Sequence, residues 1–220
     1  MKRKICVVSD IHGNLTALQA MYQDSQAHHP DEYWFLGDLL MPGPAVNEVV
    51  KILDQMHPTI CIRGNWDDLV VNGARGLIAP IKPSRIYFGR LAQYVAEHAK
   101  PGLIDRLASW PMHASKTVNG LRFTMAHNLP NLNMGQDLYP TKPSENFGRV
   151  FDWDGQADVG LYAHVHHQLM RYTPDERLVL NPGSVGEPFE DWPRLQQDRR
   201  AYYLLLTVDE TGLADIEFRH

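Results

Sequence analysis

KICVVSDIHGNLTALQAMYQDSQAHHPDEYWFLGD, residues 4–38, decides how the rest of the chain is read. The apolar run KICVVS has the length and β-branched content of a strand, Leu15, Leu18, Met21 and Tyr22 recur at helical spacing, and YWFL is a second strand. Strand, helix and strand in that order make a βαβ unit, whose two strands lie parallel. Val46, Val49, Val50 and Leu53 then repeat an i, i+3, i+4, i+7 stripe before a third strand, TICI at 59–62. A parallel sheet covered by helices follows.

Working outward, residues 85–109 read as helix interrupted at Pro101, within a helical cap segment over about 72–110. From Met112 the pattern changes to short strands: MHASKTV and LRFTMA about the turn Asn119-Gly120, then DVGLYA, LMRYT, RLVL, AYYLLLTV and ADIEF. These predict a second sheet. Residues 128–148, rich in Asn, Pro and Gly, read as a long loop on the functional side. No repeat and no long Pro/Gly/Ser linker divides the chain, so 1–220 is expected to be one domain.

Composition narrows the function classes. Hydrophobic residues make up 44% and charged residues 21% of the 220, the balance of a chain that folds around a core. The N-terminal MKRKICVVSD begins with basic residues, but its apolar run stops at Ser9 and Asp10, too short for an export signal, and no run elsewhere could span a membrane. Cys6 and Cys61 each sit inside an apolar run and read as inert thiols rather than a disulfide or zinc pair. A cytoplasmic, membrane-free protein is expected. A formal net charge of −5 gives no broad attraction for nucleic acid, so stable nucleic-acid binding is not expected and a small phosphorylated substrate is.

Five apolar runs end in a potential metal ligand: KICVVS at Asp10, YWFLG at Asp38, TICIRG at Asn65, LRFTMA at His127 and DVGLYA at His164. In open α/β sheets, residues beyond the carboxyl ends of strands converge on one crevice, however far apart they lie in sequence. His12 and His166 join them, each two residues after another ligand, a spacing that aims both side chains of a pair at one point when the backbone is extended. Carboxylate, imidazole and amide oxygen together suit manganese first, with iron, zinc or nickel as alternatives, and suit calcium or copper(I) poorly. Seven ligands are too many for one ion and fit two divalent ions about 3.5–4 Å apart.

The same residues carry a family resemblance. SDIHGN (9–14), LGDLL (36–40), RGNWDD (63–68), AHN (126–128), AHVH (163–166) and NPGSVGEP (181–188) follow the order and rough spacing of the calcineurin-like metallophosphoesterases. The chain looks most like their small bacterial phosphodiesterase branch. DEYWFLGDLLMPG, GNWDD and NPGSVGEPF are similar to proteins regarded as diadenosine tetraphosphate hydrolases. The resemblance implies a four-layer α-β-β-α sandwich. It implies that Asp10, His12 and His166 hold one ion, that Asn65, His127 and His164 hold the other, and that Asp38 bridges them. Asp38, Asn65 and His127 are then the catalytic set, serving hydrolysis of a phosphodiester or phosphoanhydride by a hydroxide that bridges the ions. A non-catalytic scaffold of the same fold, as in a retromer subunit, and a nuclease are the alternatives; a homo-oligomer is left open.

Three further residues carry two readings each. Asn14 is a helix N-cap or a phosphate contact, Arg63 a structural salt bridge or a phosphate donor, and Trp66 a hydrophobic wall or a stacking face for a base. Trp66 stands where much of the family has a histidine, so no acid is offered there to a leaving group. Asp67 and Asp68 read as solvated or capping carboxylates. Gly is replaced by Asn128 after His127 and by Ala163 before His164, which changes loop shape more than ligation.

Overall fold

The computed structural model describes residues 1–188 and 199–220. Phe189, which closes the NPGSVGEPF motif, lies outside the described residues. Two five-stranded sheets stack face to face with helices on both outer surfaces, the four-layer arrangement. In the first sheet, β1 (Arg3–Val8) pairs in parallel with β2 (Glu32–Phe35), and β2 pairs in parallel with β3 (Ile60–Cys61). The helices between them, α1 (Leu15–Ala27) and α2 (Asn47–Met56), are the crossovers of the βαβ reading.

The second sheet holds β4 (His113–Val118), β5 (Leu121–Ala126), β6 (Val159–Leu161), β7 (Gln168–Tyr172) and β8 (Leu178–Pro182), in the order β4-β5-β6-β8-β7. One expectation is corrected here. The last two strands, β9 (Tyr203–Asp209) and β10 (Gly212–Arg219), do not extend the second sheet but return to the first, where β9 pairs antiparallel with β1. Short apolar runs announce a strand, whereas sheet membership depends on which distant edge is free, and β1 has one.

Three cores separate the layers. Ile5, Val7, Trp34 and Leu36 meet Phe123, Met125, Leu161 and Leu180 between the sheets. Cys6, Val8 and Phe35 face the other way, onto a helical layer that includes α3 (Asn65–Ala74), α4 (Pro83–His98) and α5 (Leu103–Ser109). Alternate residues of β1 thus serve opposite faces, the period of two that a strand buried on both sides requires. Residues 72–110 lie in this helical layer, with Trp110 edge-on to Phe35 at 5.6 Å. Leu138, Phe147, Val150 and Tyr162 form the third core, under the long loop and the short helix α6 (Ser144–Phe147) on the outer face of the second sheet. Among the described residues no helix is long and apolar enough to cross a membrane.

Candidate metal centre

Six of the seven expected ligands meet at the carboxyl ends of β1, β2, β5 and the segments that follow β3 and β6. The loops that carry them are laced by their backbones: the Asp10 amide donates to Gly37 O at 2.9 Å, that of His12 to Asp38 O at 3.0 Å, and that of Gly186 to Asp10 O at 2.9 Å. The NPGSVG segment therefore anchors the first ligand loop, with Ser184 Oγ also donating to Asp10 O at 2.9 Å.

The extended spacing expected for the paired ligands is not what the backbone adopts. Asp10, His12, Asp38, His164 and His166 have φ between 51° and 66°, the left-handed region that costs a side-chain-bearing residue about 1 kcal/mol or more. Consecutive ligands are aimed by tight left-handed turns, with Ile11 buried between Asp10 and His12. Strain of this kind persists only where surrounding hydrogen bonds over-determine it, as the lacing does here.

Glycine is required where the loops cross. A Cβ on Gly64 would lie 2.1 Å from Asp38 Oδ1, and one on Gly13 would lie 2.4 Å from Gly43 O. The motif glycines thus serve close backbone approach around the ligands.

Two clusters of ligand atoms result, Asp10 with His12 and His166, and Asp10 with Asp38 and His127. His166 Nε2 lies 3.2 Å from Asp10 Oδ1, and His127 Nε2 lies 3.2 Å from Asp38 Oδ2. Asn65 adds its Oδ1 at 3.1 Å from His127 Nε2. Asp10 belongs to both clusters, and Asp38 Oδ2 is also within 3.9 Å of His12 Nε2, so proximity places Asp10 between the clusters as much as Asp38.

His164 stands apart. It belongs to neither cluster; its ring is 5.4 Å from that of His127, and its Nε2 accepts from the Gly135 amide at 3.1 Å. An imidazole that accepts at Nε2 carries its proton on Nδ1, so ligation by His164 requires exchange of that hydrogen bond.

The donor set fits cations. Each of three imidazoles is oriented by a backbone carbonyl: His12 Nδ1 to Met41 O at 2.6 Å, His127 Nδ1 to Leu36 O at 2.7 Å and His166 Nδ1 to Glu187 O at 2.6 Å. That fixes Nε2 as the inward atom. His12 Nε2 and His166 Nε2 then face each other at 3.1 Å, lone pair toward lone pair, unless a proton or a metal ion lies between. Asp10, fully buried, has no hydrogen-bond partner on either carboxylate oxygen. A buried carboxylate surrounded only by imidazole nitrogens is what a divalent cation satisfies.

The electrostatics agree. Burial pushes Asp10 up, but His166, His12 and His127 outweigh it and hold the carboxyl well below the usual range. Burial pulls His12 and His127 down, yet the two aspartates outweigh it and hold them at about 9 and about 10. His164, further from the carboxylates, is pulled down to about 4 by burial and His127.

The residues with two readings resolve unevenly. Asn14 caps α1, accepting from the Ala17 amide at 3.1 Å, and ties Gly186 O at 2.8 Å. Of the two readings of Arg63, the salt bridge is the one seen here: its Nε pairs with Asp68 at 2.8 Å and its Nη1 donates to Ala108 O at 2.7 Å, so it braces α3 against α5. Trp66 is half-buried, edge-on to His12 at 5.4 Å and to Phe88 at 5.3 Å.

Asp67 was missed as a site residue. It is fully buried, not solvated, and accepts from the amides of Asp38 and Gly64 at 2.9 Å and of Leu39 at 3.0 Å. With the Trp66 amide donating to Asp38 Oδ1 at 2.8 Å, the N-terminus of α3 grips Asp38 by backbone and side chain together. The signal was present in GNWD, an acid at the third helical position as in a capping box.

Residues 3–211 match the model of the calcineurin-like phosphoesterase superfamily domain. The chain belongs to that superfamily. This calcineurin-like domain is 25% identical over 205 residues to MJ0912 of Methanocaldococcus jannaschii, a protein without an assigned activity, covering 86% of this chain and 78% of that one. It shares its fold with the hypothetical protein PH1004 of Pyrococcus horikoshii (TM-score 0.77, 19% identity, 99% and 87% of the two chains). The same holds for a metallophosphoesterase of Sphaerobacter thermophilus (TM-score 0.71, 21% identity, 99% and 87%) and for Vps29 of Chaetomium thermophilum (0.58, 14%, 99% and 94%). Metallophosphoesterases of this superfamily are phosphoester hydrolases dependent on divalent metal, and the two clusters above are this chain's candidate ligands.

Proposed function

We propose that this calcineurin-like chain hydrolyses a phosphodiester or a phosphoanhydride with two divalent ions, manganese foremost. The observation that carries the reading is the buried Asp10 carboxylate, faced by imidazole nitrogens and by no other donor, with His166 Nε2 at 3.2 Å from it and His12 Nε2 at 3.1 Å from His166 Nε2. Asp10, His12 and His166 would hold one ion, and Asp38, His127 and Asn65 the other, with Asp10 or Asp38 shared and His164 joining after release from Gly135. When bound, such ions draw in phosphate oxygens and make a water molecule acidic enough to attack at neutral pH.

The chain's own residues do the rest. Backbone carbonyls of Met41, Leu36 and Glu187 aim the imidazoles, and Asp67 and the Trp66 amide fix Asp38. Hydrolysis breaks one P–O bond, adds the water's oxygen to phosphorus and leaves its protons to be shared between the products and solvent. Trp66 has no acidic proton to give the departing oxygen, which favours leaving groups that depart as stable anions. Neither the fold nor the family match singles out diadenosine tetraphosphate among such substrates.

The scaffold alternative draws on the shared fold of Vps29. The enzyme reading is preferred because the candidate ligands form two clusters around Asp10 and Asp38, and turnover is what separates it from a scaffold that merely holds metal. The test is metal content together with turnover of bis(p-nitrophenyl) phosphate by manganese-loaded protein. Two ions per chain and turnover abolished by chelator are expected. One ion or none in saturated protein, or no turnover, would overturn the proposal.

A further inference from the structure

The formal charge of −5 hides an uneven distribution. Residues 69–96 contain Arg75, Lys82, Arg85 and Arg90 and no aspartate, glutamate or histidine. Arg75 faces Asp105 at 3.6 Å, whereas Lys82, Arg85 and Arg90 make no ion pair with any described residue. The same stretch exposes large apolar side chains, among them Tyr87 at 54%. A cationic surface interleaved with aromatic residues is the pattern that binds single-stranded nucleic acid: cations follow the phosphates and rings stack on bases.

The surface is joined to the metal centre by rings. His12 meets Trp66 at 5.4 Å, Trp66 meets Phe88 at 5.3 Å, and Phe88 meets Tyr87 at 5.3 Å, each contact edge-to-face. The indole is held in register because its own backbone amide is bonded to Asp38. On α4, Tyr87 and Arg90 are three residues apart and so share a face, with ring and guanidinium both exposed. Charge and aromatic surface thus start at a candidate ligand and run outward along one helix.

We infer that the N-terminal half of α4, with Trp66, binds the strand of a short single-stranded oligonucleotide whose phosphodiester lies at the metal centre. This rests on the hydrolase reading and narrows its substrate to a nucleic-acid strand. An anionic membrane would also meet cations and apolar side chains. The ring chain favours the nucleic acid, since it leads into the candidate site for phosphoester cleavage, where a lipid surface has no reason to reach.

Binding can be measured without catalysis, so the two readings fail separately. Metal-free full-length protein is titrated into a fluorescently labelled eight-nucleotide single strand, followed by anisotropy at several salt concentrations, with R85E/R90E and Y87A alongside and melting temperature as the check of folding. Affinity should fall with salt at a log–log slope of about −0.7 per phosphate contacted. R85E/R90E should weaken binding at least about tenfold, and Y87A about fivefold or more, the range of one lost stacking contact. Absence of strand binding at about 50 mM salt, equal binding by the folded charge-reversed variant, tighter binding of duplex than of single strand, or binding only to vesicles of anionic and neutral phospholipid overturns the inference. If instead the strand binds as expected while bis(p-nitrophenyl) phosphate is not hydrolysed by loaded protein, the hydrolase reading fails and the binding surface stands.

Discussion

The decisive residues of this site are ordinary in type and unusual in setting. Asp10 and Asp38 are buried carboxylates, and His12 and His127 are imidazoles held by them at about 9 and about 10. Both shifts favour the protonated imidazole in metal-free protein, with the extra proton on the inward nitrogen, where an ion would bind. A raised imidazole pKa favours the protonated form up to that value, so metal must displace protons below it and binds more tightly as pH rises. We expect net proton release on manganese loading at pH 7, seen as a dependence of calorimetric heat on buffer ionisation enthalpy, and affinity that increases from pH 6 to pH 8. Heats independent of the buffer would show that the imidazoles are already neutral. The candidate ligands themselves were legible in the sequence, because five end an apolar run and His12 and His166 each follow one of those by two residues. Their left-handed backbone was not, since the spacing of two fits an extended strand equally well.

Helix α3 illustrates what an element adds beyond its residues. Its first turn places Asn65 beside His127, the Trp66 indole against His12, and Asp67 under the Asp38 loop, three tasks within three consecutive positions. The apolar run before it was read as four residues, TICI, but only Ile60–Cys61 pair as strand, because the chain must turn at once into this helix. Burial of Asp67 escaped the sequence for a related reason: two adjacent acids look solvated until the helix rotates one inward, while Asp68 reaches Arg63 and Asn133. Position 66 also governs which bonds can be cleaved. W66H would set an imidazole next to the centre in place of the indole and offer a proton to the leaving oxygen. We expect it to raise the rate on a simple alkyl phosphate monoester by about tenfold or more, toward the range general acids contribute, while the unmodified protein strongly prefers aryl diesters. Comparable rates of the unmodified protein on glycerol phosphate and on bis(p-nitrophenyl) phosphate would refute the leaving-group argument.

At the scale of the molecule, the two sheets are pinned by more than their shared core. Glu32 on β2 accepts from Lys116 on β4 at 2.5 Å, from Thr59 at 2.7 Å and from Trp34 at 3.0 Å, its side chain only 10% exposed. Burial pushes this carboxyl up, but the hydrogen bonds outweigh it and bring it to about 2. An acid whose folded pKa lies below its unfolded one stabilises the protein above the unfolded value and loses that contribution as pH falls. E32Q should therefore lower the melting temperature at pH 7 and narrow the gap to the parent between about pH 4.5 and pH 2; an unchanged gap across that range would assign Glu32 no such part. Every strand falls in a segment whose pattern reads as strand, yet the sheet membership of β9 and β10 does not show there, since pairing is a property of two distant segments. That pairing has a consequence for synthesis. β1 emerges from the ribosome early and gains β2 soon after, but its other edge, at Val7 and Cys6, waits for Leu204 and Leu205. Until then the nascent chain presents an open apolar strand edge, the surface on which unfolded chains associate and chaperones act. The loop that carries Asp10 and His12 leaves this same strand, and its tie to Gly186 also arrives late. Ion capture should consequently be among the last events of maturation, coincident with closure of the first sheet rather than a nucleus for it.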